Sequence, residues 1–203
     1  MCKRLLSVLG ALIVLSVASP AWAGSVGLYG WYQPKEHSPV GPVMGFKSWE
    51  KFLRWMGCDA EIVVWETPQV NAGYSTSKNK IMVIQGLIDI LTPEQLGFVI
   101  AHEAGHCRQR TGHSPWLDPD KPGYSEGNAT TFGWERDAEA HAVKILRVLG
   151  YDGCGVEFGL RALFAKRDGI SLEYDRGSHG SVYTMANWAC THDGIGRDDV
   201  QTP

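Results

Sequence analysis

Two histidines four residues apart, with a glutamate directly after the first, make up His102-Glu103-Ala104-Gly105-His106. On an α-helix, residues four apart lie one above the other on a single face, so both imidazoles can reach one tetrahedral Zn²⁺ at about 2.0–2.1 Å. Glu103 then sits beside the metal at the place of a bound water, where a carboxylate can act as general base. The pattern has this meaning only within a helix. The competing reading is two exposed histidines flanking a surface glutamate. Gly105 argues against it, because glycine inside a helix costs about 1 kcal/mol relative to alanine and so points to a local packing reason.

A catalytic zinc keeps three protein ligands and one open position, so a third ligand is required. His113 does not supply it. A third histidine of that kind follows a glycine three places after the second histidine and comes three places later still; those places are Gln109 and Gly112. The stronger candidate is Glu135, in Trp134-Glu135-Arg136-Asp137-Ala138-Glu139-Ala140-His141. Glu135 and Glu139 are four apart and share a helix face. The first can ligate zinc while the second accepts the other N–H of a zinc histidine. The small residues Ala138 and Ala142 would let this helix approach the histidine helix closely. Alone, such an acidic pair would read as a solvated face.

The elements that must position these groups can be read from period and punctuation. Ser48 can cap a short amphipathic helix through Met56 that carries Trp49, Phe52, Leu53 and Met56. Glu61–Trp65 and Ile81–Ile84 read as strands, separated by the turn-rich stretch Asn71–Asn79. Thr92-Pro93, with Glu94 and Gln95 in the first turn, starts the histidine helix, which runs to about Gln109. Its apolar stripe of Leu96, Ile100, Ala104 and Cys107 lies roughly opposite the histidines. Residues 111–127 hold too much Pro and Gly for anything but a surface loop. A second long helix covers Thr131 to Leu149 and stops at Gly150. A third runs from Asp152 or Gly153 to about Arg167, ended by Asp168-Gly169, and a short one covers Val182 to Ala189.

The chain opens with Met1-Cys2-Lys3-Arg4, an apolar run from Leu5 to Val17, and Ala21-Trp22-Ala23, the pattern of a signal peptide over residues 1–23. The apolar run is short for a membrane span, and nothing later reaches the roughly 18–20 apolar residues that one needs. An irregular N-terminal arm, residues 24–47, follows, and a single domain is expected over 48–203. Loss of Lys3 and Arg4 takes the net charge from −3 to −5. That balance gives no electrostatic footprint for nucleic acid or anionic lipid. Cys58, Cys107, Cys154 and Cys190 remain after processing, an even count compatible with two disulfides in any of three pairings if the chain is exported. No pair has zinc-knuckle spacing. Buried free thiols are the alternative, with Cys107 the best placed for it.

Asn71-Ala72, Ile81-Met82-Val83-Ile84 running into Gln85-Gly86-Leu87, Thr92-Pro93-Glu94-Gln95-Leu96 leading into His102–His106, Glu135-x-x-Ala138-Glu139 and Leu149-Gly150-Tyr151-Asp152 appear in that order. Over about residues 48 to 190 this resembles the HtpX-like, CAAX-prenyl-protease-like zinc metallopeptidases. The resemblance implies an α+β fold, a mainly helical zincin-like domain with a small β-sheet or hairpin packed on the HExxH helix. It also implies one Zn²⁺ per chain, with Glu135 as third ligand. Glu139 stands where that family has aspartate, keeping the charge on a longer arm. Ser178-His179-Gly180 stands where a later His-Pro of the family approaches the metal.

The expected activity is that of a periplasmic or extracellular endopeptidase acting on exported, unfolded or extended polypeptides. Besides zinc, the oxyanion needs a second donor, for which His179 or Tyr183 is the candidate; each is otherwise an ordinary loop or core residue. The edge of the strand Ile81–Ile84 is expected to pair with an extended substrate. The rival reading is a catalytically silent zinc-binding or chaperone-like module of the cell envelope.

Overall fold

The computed structural model describes residues 35–111, 131–168 and Cys190. The leader, residues 24–34 of the arm, the loop beyond Thr111 and the short helix expected at 182–189 lie outside them. The described elements run β1 (Glu36–His37), α1 (Trp49–Trp55), β2 (Glu61–Trp65), β3 (Ala72–Ser75), β4 (Lys80–Ile84), α2 (Gln85–Ile88), α3 (Pro93–Arg110), α4 (Thr131–Val148) and α5 (Gly153–Asp168). The architecture is mixed α+β, mostly helical, with a four-stranded sheet packed on α3.

The strands stand in the order β1-β2-β4-β3. β2 and β4 pair in parallel, with Ile62 opposite Ile81 and Val64 opposite Val83, while β3 returns antiparallel to β4 and β1 antiparallel to β2. The apolar runs of β2 and β4 put Ile62, Val64, Ile81 and Val83 into the main core. Val63 and Met82, which alternation turns to the opposite face, are buried as well.

Three expectations are corrected here. The segment Asn71–Asn79 is not all turn, because Ala72–Ser75 forms β3. Ala-Gly-Tyr-Ser has weak strand propensity, and it is pairing with β4 that makes it a strand. β4 therefore lies between β2 and β3 and has no free edge for a substrate; the outer strands are β1 and β3. Nor is the arm irregular throughout. Glu36–His37 adds to β2, and Glu36 accepts from Lys80 Nζ at 2.6 Å and from Trp65 Nε1 at 3.2 Å. Two residues are too few to show a period in sequence. Farther along the arm, Met44 packs where a Cβ on Gly97 of α3 would stand.

Cys107 is bonded to Cys58, and Cys154 to Cys190, so the best candidate for a free thiol is in a disulfide. The first bridge ties α3, directly after His106, to the segment between α1 and β2. Among the described residues no helix is long and apolar enough to cross a membrane.

Candidate metal centre

The centre is assembled on α3 and α4. α3 starts at a capping box: Gln95 N–H donates to Thr92 Oγ1 at 3.2 Å, Thr92 N–H donates to Gln95 Oε1 at 3.0 Å, and Pro93 takes the first turn. From Gly97 through Cys107 every residue of α3 is buried, so the histidine face is enclosed as fully as the apolar stripe. Gly105 meets α4. A Cβ there would stand 2.8 Å from Ala138 Cα and 3.1 Å from Ala138 Cβ. Gly105 lies three residues after His102, and Ala138 three after Glu135. This close approach of the two helices thus comes one turn from a candidate ligand on each.

Within that seam His102 Nε2 and His106 Nε2 are 3.1 Å apart, and Glu135 Oε2 is 3.3 Å from the first and 3.7 Å from the second. Donors about 2.0–2.2 Å from a tetrahedral zinc stand roughly 3.2–3.5 Å from one another, close to the sides of this triangle. Two imidazole nitrogens and a carboxylate oxygen are also the donor chemistry zinc takes. His102, His106 and Glu135 are the group among the described residues that can hold a metal ion. Glu103 is buried on α3 beside them.

The outward nitrogens of both rings meet specific partners. His106 Nδ1 lies 2.9 Å from Gln109 Oε1, and Gln109 is itself fixed by donating to the Trp134 carbonyl at 2.7 Å and to Asp137 Oδ2 at 2.8 Å. His102 Nδ1 faces Glu139 Oε1 at 3.7 Å, longer than a hydrogen bond. Glu139 Oε1 accepts from Arg161 Nη2, and Arg161 Nε donates to Glu157 Oε1 at 3.1 Å. Nearby, Arg108 Nη1 donates to Nδ1 of the buried His141 at 2.9 Å.

The electrostatics follow from crowding acids and imidazoles out of water. Burial alone would push the His106 ring down, but its contact with Glu135 and the charges of Glu135 and Glu103 outweigh that and hold it up, at about 9. His102 is likewise raised: burial opposes the charged form, and Glu139 and Glu135 more than offset it. A field that retains protons on two imidazoles is one that favours a divalent cation in their place. His141 goes the other way, well below its ordinary value, because burial and the Arg108 charge both disfavour its protonation.

The structure thus brings together His102, Glu103, His106, Glu135 and Glu139, whereas His179 and Tyr183 lie outside the described residues. Gln109, Asp137, Glu157 and Arg161 were not anticipated. Gln109 left a signal, standing three residues after His106 on the same helix face. Glu157 and Arg161 read in sequence as an ordinary i,i+4 surface pair.

Residues 56–114 match the family model for Peptidase family M48, a span from the end of α1 through α3 that stops before Glu135. No curated protein matches the chain.

Proposed function

We propose, from the Peptidase family M48 domain that the chain carries over residues 56–114, that this protein is a zinc-dependent endopeptidase cutting exported, unfolded or extended polypeptides. The observation that supports it best is the buried triangle of His102 Nε2, His106 Nε2 and a Glu135 carboxylate oxygen on two helices that touch at Gly105 and Ala138. These three side chains would hold Zn²⁺. Once bound, the ion would acidify a water and polarise a peptide carbonyl.

The chain's own residues do the rest. Glu103 takes the proton of the attacking water and later delivers it to the leaving amine. Gln109 and Glu139, each facing an outward Nδ1, orient the two rings. His179 and Tyr183 are proposed as donors to the developing oxyanion. The outer edge of β3, which packs along α3, is the place for an extended substrate to add a strand.

Export to the periplasm or the extracellular space is supported by the Cys58–Cys107 and Cys154–Cys190 bridges, which persist in oxidising compartments. The decisive experiment is metal analysis of the oxidised, purified chain alongside cleavage of casein. One zinc per chain is expected, with proteolysis abolished by chelator. Proteolysis should also be lost in Glu103→Gln while zinc stays bound. Full activity of that variant, or no cleavage by the zinc-loaded chain, would reject the reading.

A further inference from the structure

Between α4 and α5 lies a charged cluster that the ligand set does not account for. Arg161 on α5 donates through Nη2 to Glu139 Oε1 on α4 and through Nε to Glu157 Oε1, one turn earlier on its own helix, at 3.1 Å. An i,i+4 Glu–Arg pair is ordinarily a solvated helix face. Here Glu157 is 0% exposed and Glu139 4%. Burying two acidic side chains and a guanidinium is costly unless their geometry is fixed and directional.

The oxygen of Glu139 that takes the Arg161 Nη2 is the same oxygen that faces His102 Nδ1 at 3.7 Å. It is held between the ring and the guanidinium. A glutamate has one more rotatable bond than an aspartate, so an unrestrained Glu139 would sample rotamers that carry its carboxylate away from the ring. The planar fork of arginine removes that freedom, because Nε is committed to Glu157 and Nη2 then addresses Glu139 in a fixed direction.

We propose that Arg161, braced by Glu157, is a positioning residue of the metal centre: it locks the Glu139 carboxylate at Nδ1 of His102 and so keeps Nε2 of that ring turned toward the metal. This rests on the metallopeptidase reading above. It gives α5 a defined part in metal retention.

The test is Zn²⁺ affinity of the full oxidised chain, read by competition with a chromophoric chelator and therefore independent of proteolysis. Two variants are compared: Arg161→Lys, which keeps the charge without the fork, and the pair Arg161→Met with Glu157→Leu, which removes both buried partners together. Each is made in the native background and in Glu139→Gln. In the native background either should weaken zinc binding by about 10–100-fold. In Glu139→Gln the same changes should alter affinity by less than about twofold, since Arg161 acts through that carboxylate.

Equal losses in both backgrounds would overturn the inference, as would unchanged affinity in folded variants. Failure of both variants to fold would also overturn it, in favour of an ion pair that only holds α5 in place. If the unmodified chain takes up no stoichiometric Zn²⁺, the metallopeptidase reading itself falls and this inference with it. If it binds one Zn²⁺ and the variants bind equally well, this inference alone falls.

Discussion

The half of the protein built on the sheet and the half built on α3, α4 and α5 bury different kinds of side chain. Every charged or histidine side chain buried among the described residues lies on those three helices: His102, Glu103, His106, Glu135, Asp137, Glu139, His141 and Glu157. The sheet side, from Val43 to Leu87, buries only apolar groups and Tyr74, whose hydroxyl donates to Asn79 Oδ1. Apolar burial stabilises without needing a partner, whereas each buried ion costs several kcal/mol unless matched. The sheet side therefore supplies rigidity, and the helix side spends part of it on groups that make sense only around a cation.

The largest expected effect lies on the helix side. Glu135→Gln removes a charged ligand and should abolish both stoichiometric zinc and proteolysis, well beyond the ~10–100-fold that loss of Glu139 costs. Added zinc should partly restore Glu139→Gln and not Glu135→Gln. The reverse order in zinc titrations would mean that Glu139 is the ligand and the assignment is off by one helical turn.

On the sheet side the effect should be on stability alone. Ile81, fully buried in β4 at the centre of the sheet, should lose about 2–5 kcal/mol on replacement by alanine, measured by denaturant unfolding. Zinc affinity of the folded fraction should stay within a factor of two or so of the native value. A large change in affinity would show that the two halves are coupled, and the contrast between them would fail.

Gly105→Ala tests the seam itself. Helix propensity favours alanine by about 1 kcal/mol, yet its Cβ would press on the Ala138 backbone, an overpacking that typically costs about 1–3 kcal/mol. The variant should unfold at lower denaturant and hold zinc more weakly. Gly97→Ala is the control, since the atoms nearest its Cβ all belong to the flexible Met44 side chain, and it should leave zinc affinity alone.

What could be read from sequence divides along the same line. The HExxH spacing, the Thr92-Pro93 helix start and the Glu135/Glu139 face all encode their geometry locally, and Gly105 flagged the close helix contact. β1 and β3 could not be read, because what makes Glu36–His37 and Ala72-Gly73-Tyr74-Ser75 strands is pairing with β2 and β4. Strand addition at Ile81–Ile84 was misplaced for the same reason. The buried Glu139–Arg161–Glu157 chain was invisible because i,i+4 spacing looks identical on a solvated face and in an interior. The Cys58–Cys107 pairing was equally hidden, since it depends on where α3 meets the segment after α1.

The smallest expected effect is a pH signature of the helix side. Without metal, the folded protein holds the His106 imidazole at about 9, above its ordinary 6.5, and raises His102 as well. Between those pH values the folded chain binds more protons than the unfolded one. The stabilisation is therefore fully present below about pH 6.5 and is lost as pH rises through 9. Glu157, held up at about 8 by burial and the Glu139 charge against Arg161, adds a fall of the same sign that begins nearer pH 4.5. Zinc takes the deprotonated rings, so its contribution to stability should grow across the window in which the metal-free protein weakens. Thermal unfolding at pH 5, 6.5, 8 and 9, with chelator and with zinc, should show two curves that diverge as pH rises, and Glu157→Gln should flatten the acidic part of the metal-free one. A metal-free Tm that is constant or climbs between pH 6.5 and 9 would show that the buried acids do not hold protons on the histidines, and the electrostatic distinction between the two halves would be lost.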